Sequence, residues 1–133
     1  MFWGLKIEGV HLNWLELKEI IESQYSGLFI WRDSGYIIPD DFQYILSKSP
    51  SLNFNYLYDA RDCDDGNRIL RGWLSKKGYG NVLCMDVSVI YPNGLQHALI
   101  GSLDKNKNLI YGDARTGEID KLPSGTIIER MIA

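Results

Sequence analysis

Two apolar runs, Val82–Tyr91 (VLCMDVSVIY) and Gln96–Leu103 (QHALIGSL), flank Pro92-Asn93-Gly94 and follow closely on a helical pattern over Asp62–Lys77. This block constrains the fold most, because a proline and an Asn-Gly pair between two β-rich runs predict a hairpin. Ahead of it Ile69, Leu70, Trp73 and Leu74 recur at helical spacing, and Gly78 is placed to stop the helix. A helix delivered onto a hairpin predicts an α+β layer arrangement. Leu109–Asp113 (LIYGD) adds a strand after the polar loop Asp104–Asn108, and Gly125–Ile132 predicts a last strand or a short helix.

The upstream half reads as helical. Asn13–Ser23 (NWLELKEIIES) has the apolar spacing of an amphipathic helix with Asn13 as its cap. Leu28–Trp31 predicts a short strand. Pro39 with Asp40 and Asp41 opens a second helix through Phe42, Ile45 and Leu46, and Ser49-Pro50 ends it. The expectation is N-terminal helices packed on a small antiparallel sheet, with the whole chain, 1–133, as one domain, since neither repeats nor low-complexity linkers interrupt it. At 45% hydrophobic residues the chain can bury a core. A net charge of -3 without a basic block argues against nucleic acid. Short apolar runs, and a start MFWGLKIEGV unlike a signal peptide, argue against a membrane and for a cytoplasmic location.

The two cysteines and two histidines are the scarcest reactive residues. Cys63 falls in the first turn of the Asp62–Lys77 helix, where free amides and the positive end of the helix dipole favour a thiolate. At about 100° per residue, Leu70 and Leu74 share its arc, whereas Asp64 and Asp65 turn away with Arg68, Arg71 and Ser75. Asp62 is the expected cap, Asp65 a capping-box partner, and Asp64 a partner for Arg68. His97 shares a strand face with Leu99 and Leu103. Pairing Leu103 with Leu109 sets Asp113 opposite Leu99, diagonal to His97 and on the same face. Cys63, His97 and Asp113 would then be a nucleophile, a base and the acid that orients it, a triad for attack on acyl carbons. Hydrolysis and acyl transfer are both open to such a site, with a peptide or protein as substrate.

Asp62-Cys63-Asp64-Asp65 at a helix start, then Gly78-Tyr79, His97-Ala98 on a strand and Gly112-Asp113-Ala114-Arg115-Thr116-Gly117, together resemble the core of transglutaminase-like, papain-like cysteine peptidases. The pattern is similar to bacterial transglutaminase-like peptidases and to the peptidase domain of fungal chimerolectin agglutinins. The resemblance covers Tyr58–Ile119 and implies a papain-like or transglutaminase-like fold with Cys63 as nucleophile, His97 as base and Asp113 as orienting acid. The chain departs from that pattern at Gly66, where a bulky residue is common, and lacks the upstream glutamine that often completes the oxyanion site, leaving Tyr58 as a substitute.

Other readings of the same residues stand beside this one. A non-catalytic binding domain that retains the fold is the alternative function. No cofactor is required by the triad, but Asp64 and Asp65 could ligate calcium, although the spacing around Gly66 and Gly72 fails the EF-hand pattern. A tight Asn93-Gly94 hairpin would put Asp86, with Cys84 and Ser88, on the His97 face as a rival partner for the imidazole. Cys84 reads as a packing thiol and His11 as loop or packing. Trp3, Trp14, Trp31 and Trp73 read as core and cleft walls rather than a carbohydrate platform.

Overall fold

A computed structural model describes residues 5–53 and 63–133, with the side chains of Asn53, Cys63 and Asp64 outside that description. In chain order the elements are β1 (Gly9–Asn13), α1 (Trp14–Glu22), β2 (Leu28–Ile30), β3 (Gly35–Pro39), α2 (Phe42–Lys48), a 3₁₀ turn (Pro50–Asn53), α3 (Cys63–Lys76), β4 (Met85–Ile90), β5 (Gln96–Leu103), β6 (Leu109–Gly112), β7 (Ile119–Asp120) and β8 (Ile127–Ile132). β1 and β3 form an antiparallel pair, and the other strands form a six-stranded sheet in the order β2-β8-β4-β5-β6-β7. All its neighbours are antiparallel except β2 and β8.

Local chemistry explains the helix ends. Asn13 accepts the Glu16 N–H at 2.8 Å while Glu16 Oε1 accepts the Asn13 N–H at 3.1 Å, a reciprocal capping box that starts α1. Asp41 caps α2 by accepting from Tyr44 N–H at 3.0 Å. At the end of α3, Tyr79 N–H donates to Leu74 O at 2.8 Å and Gly78 N–H to Ser75 O at 3.1 Å. These bonds form a Schellman turn, and Gly78 takes its left-handed position at φ +86°.

Strands β4 and β5 separate two apolar layers. Met85, Val87, Val89, Leu99 and Leu103 point into one, closed by Leu17 and Ile21 of α1 and by Leu12, Tyr36 and Ile38 of the β1–β3 pair. Cys84 and Ile100 point into the other, closed by Leu70 and Leu74 of α3 and by Phe42, Ile45 and Leu46 of α2. β5 is buried from Ala98 onward because it carries both layers at once. Each fully buried leucine or isoleucine here contributes about 1.5–3 kcal/mol relative to exposure.

The expected fold class is corrected by this arrangement. The chain is mostly β-sheet with three short helices, not helices packed on a small sheet. The N-terminal half contributes three strands of its own, and two of them pair with each other across α1, Val10 to Asn13 against Gly35 to Ile38. Pro39 ends β3 instead of opening α2. The Leu28–Trp31 run is shorter than expected and joins the sheet edge beside β8. The run expected from Val82 enters the sheet only at Met85, since Val82 is drawn aside into a bridge with Ile37. Gly125–Ile132 resolves to a strand from Ile127. Among the described residues, no helix is long and apolar enough to cross a membrane.

Candidate functional site

The most organised polar group among the described residues lies where β5 begins and β6 ends. Leu103 pairs with Leu109 and Ile100 with Gly112, so Asp113 follows on opposite Leu99 and diagonal to His97. His97 Nε2 and Asp113 Oδ2 are 3.3 Å apart, with side chains only 16% and 10% exposed. The Tyr91 ring stacks on the imidazole at 5.9 Å between centroids and 28° between planes.

Asp113 is held on all sides. Its N–H donates to Glu118 O at 3.0 Å and its C=O accepts from Gly117 N–H at 2.9 Å. Its Oδ1 accepts the Arg115 N–H at 2.8 Å and has Arg115 Nε at 3.8 Å, which leaves Oδ2 for the imidazole. Gly117 closes the turn at φ +73°, where a side chain would be strained and would meet Leu52 Cδ2 at 2.8 Å. Burial opposes the charge of Asp113, but the bonds from His97 and from the Arg115 backbone, with the nearby Arg115 cation, outweigh it and hold the carboxyl below its ordinary value. With Asp113 ionised, the proton between the two groups sits on Nε2, which donates it to Oδ2.

Asp120 adds a second acidic group at this end. Burial and then the charge of Asp113 push its carboxyl up, against a smaller lowering by His97.

The remaining sequence candidates divide plainly. Cys63 is the first residue of α3, and its thiol lies outside the described residues, as do Trp3, Tyr58, Asp62 and the Asp64 side chain. α3 packs on the Ile100 face while His97 stands on the Leu99 face, so the helix start and the pair can meet only around the end of the sheet. They do share that end: a Cβ built at Gly66 would sit 3.4 Å from Arg115 Cγ and 3.7 Å from Ala114 Cβ, both directly after Asp113. The Asp65 carboxylate pairs with Arg68 at 3.2 Å, the role expected of Asp64. Among the described residues, no group of three His, Cys, Asp or Glu side chains is placed to hold a metal ion.

Asp86 is corrected as a partner for the imidazole. Five residues, Tyr91–Leu95, join β4 to β5, and the register pairs Val89 with His97 and Asp86 with Ile100. Asp86 therefore faces α3, where Asn67 Nδ2 donates to its Oδ1 at 2.8 Å and to Leu99 O at 3.1 Å. Cys84 is a buried free thiol, pushed up to about 12 by burial. His11 stands on β1 opposite Ile37 with its side chain exposed.

Sequence reasoning missed Asn67, Tyr91 and Asp120. Asn67 was within reach, since it lies four residues after Cys63 and hence on the same helical arc. Tyr91 and Asp120 carried no local signal.

No protein-family model and no curated protein matches the chain. Solved structures do. One, described as "PSL1a-E64 complex", matches with a TM-score of 0.77 and 14% identity over 92% of this chain and 51% of the other. A second, Polyporus squamosus lectin bound to the human-type influenza-binding epitope Neu5Aca2-6Galb1-4GlcNAc, matches with a TM-score of 0.75 and 14% identity over 92% of this chain and 49% of the other. The chain thus spans about half the length of the chains it matches. These neighbours are named as a lectin, so the transglutaminase-like and papain-like cysteine peptidase assignment, the hydrolase description and the peptide or protein substrate are withdrawn. The resemblance rested on motifs of two to six residues, which any sheet with a helix of similar connectivity can accommodate. What the comparisons establish is a shared fold: over nearly its whole length this chain is built like one half of a Polyporus squamosus lectin chain.

Proposed function

We propose that the chain is a ligand-binding domain whose ligand is a glycan, with the recognition site at the His97–Asp113 end of the sheet. The observation that carries this reading is the fold likeness over 92% of the chain to a lectin seen with a bound glycan. The chemistry of the end supports it. Sugar rings are bound by an aromatic face together with fixed acceptors and donors for their hydroxyls, and Tyr91, Asp113, His97 and Asp120 supply those groups at one place. The direct test is calorimetric titration of the chain with Neu5Aca2-6Galb1-4GlcNAc and with its asialo disaccharide. Saturable binding that weakens at least tenfold in Asp113→Asn supports the reading, and no heat at millimolar glycan overturns it.

One observation favours a second reading. An imidazole buried against a carboxylate at 3.3 Å is the arrangement of a general base, more specialised than glycan contact requires. With Cys63 at the start of α3, the site would carry thiol-dependent acyl transfer. His97 takes the thiol proton, sulfur bonds to the acyl carbon, and the proton passes to the departing group as its bond breaks. An amine then takes the acyl group from sulfur, giving up its proton to His97, and Asp113 keeps the ring in place throughout. Asp64 and Asp65 are the residues at which calcium would act. Cys84 is an internal control, since its buried thiol is neutral at all moderate pH. Limiting iodoacetamide at pH 7, or incubation with E64 followed by intact mass, should label Cys63 and spare Cys84. Equal or absent labelling, with and without added calcium, removes this second reading.

A further inference from the structure

A cavity of about 280 Å³ lies at the opposite end of α3 from the His97–Asp113 pair, lined by Asp33, Arg71 and Ser75 with Tyr36, Leu74 and Cys84 among its walls. It opens between the second half of α3 and the loop that leaves β2. Arg71 and Ser75 are one helical turn apart and so face the same way. The loop is fixed from below, because the Tyr36 hydroxyl accepts the N–H of Arg32 at 3.1 Å and of Asp33 at 3.0 Å. Neither the Arg71 guanidinium nor the Asp33 carboxylate makes an ion pair among the described residues, although both line the same space.

We propose that this cavity binds a small zwitterion, of the size and charge pattern of a free α-amino acid. The guanidinium offers a forked pair of donors to a carboxylate. Asp33 accepts from an ammonium, and the Ser75 hydroxyl can serve either group. Leu74 and the Cys84 wall receive a short apolar side chain. Two opposite charges that line one cavity without closing on each other match a ligand that carries both charges, and match a simple anion or a simple amine less well. The volume lies just below the usual range for ligand sites, about 300–1,000 Å³, which suits a small molecule and not an oligosaccharide and makes the site independent of the glycan reading.

The test is calorimetric titration of the intact chain with L-norvaline, pentanoate and butylamine, which present both charges, the carboxylate alone and the ammonium alone on the same carbon chain. L-norvaline is expected to bind at least tenfold more tightly than either analogue. Arg71→Gln, at a partly exposed position, and Asp33→Asn, at an exposed one, are each expected to weaken L-norvaline binding at least tenfold while leaving thermal unfolding of the free protein unchanged. The proposal is overturned if wild type shows no heat with L-norvaline, if pentanoate binds equally well, or if either substitution leaves the affinity as it was. The analogue series on wild type decides the matter even if a variant folds poorly.

Discussion

The two faces of the β4–β5 pair are built on different principles. The Leu99 face is apolar along its length and meets α1 and the β1–β3 pair through Leu12, Leu17, Ile21 and Ile38, with its polar chemistry confined to the end that carries His97. The Ile100 face mixes apolar and polar contacts: Leu70 and Leu74 pack beside Asn67, which reaches across to Asp86 and to Leu99 O. The first layer is tied by polar bonds only just past the end of α1, where Gln24 accepts from Leu109 N–H at 2.8 Å and donates to Lys107 O at 2.7 Å, whereas the amide on the second face comes from within α3 itself. The Asn67 bonds set how the body of α3 lies on the sheet, and the start of α3 meets the turn after Asp113.

Truncation of adjacent core residues tests that contrast most strongly. Leu99→Ala and Ile100→Ala, both fully buried, should each cost about 2–5 kcal/mol in chemical denaturation. Hydrogen exchange should then separate them, with Leu99→Ala loosening amides of α1 and Ile100→Ala those of α3. Equal loosening of both helices by either variant would show that the two layers open as one unit.

Asp113→Asn should follow, at about 1.5–3 kcal/mol, the range for a hydrogen bond to a charged group. Its pH dependence has a definite sign. The folded carboxyl titrates below its ordinary 3.8, so the stability it adds is complete above that value and is lost as pH falls below it through the folded value. Wild type should therefore lose its advantage over Asp113→Asn on acidification below pH 3.8. An advantage that persists at lower pH would mean that the charge is not what Asp113 contributes.

Asn67→Ala should cost about 1–2 kcal/mol by leaving Asp86 Oδ1 and Leu99 O without the amide. It should also change the exchange of the first turns of α3 more than that of α1. The smallest effect belongs to Asp120→Asn. Burial and the neighbouring Asp113 charge both disfavour ionised Asp120, so removing the charge should raise stability at neutral pH by about 0.5 kcal/mol or less. A loss instead would mean that the Asp120 carboxylate makes a contact worth more than its repulsion.

Much of the local architecture was legible in the sequence. Asn13, Asp41 and Gly78 announce helix ends because capping involves groups only a few residues apart. β5 runs from Gln96 to Leu103 as its composition predicts, and the Leu103–Leu109 pairing that sets Asp113 diagonal to His97 follows from the length of the loop between them. The peptidase family assignment failed for the complementary reason. Short motifs report local geometry, and helix starts and strand histidines occur in many folds.

The sequence by itself therefore determined the pieces and their near neighbours: where α1, α2 and α3 begin or end, which residues make β5 and β6, and that an imidazole and a carboxylate could meet between them. Only the tertiary structure decided which pieces share a layer. It paired β1 with β3 across a helix, laid β2 along β8 about a hundred residues away in the chain, turned Asp86 from the imidazole to Asn67, and set Tyr91 over His97. Those choices depend on competition among apolar surfaces far apart in sequence, each worth a few kcal/mol and available to several partners. Caps and turns are settled by hydrogen bonds that a handful of neighbouring residues can make alone.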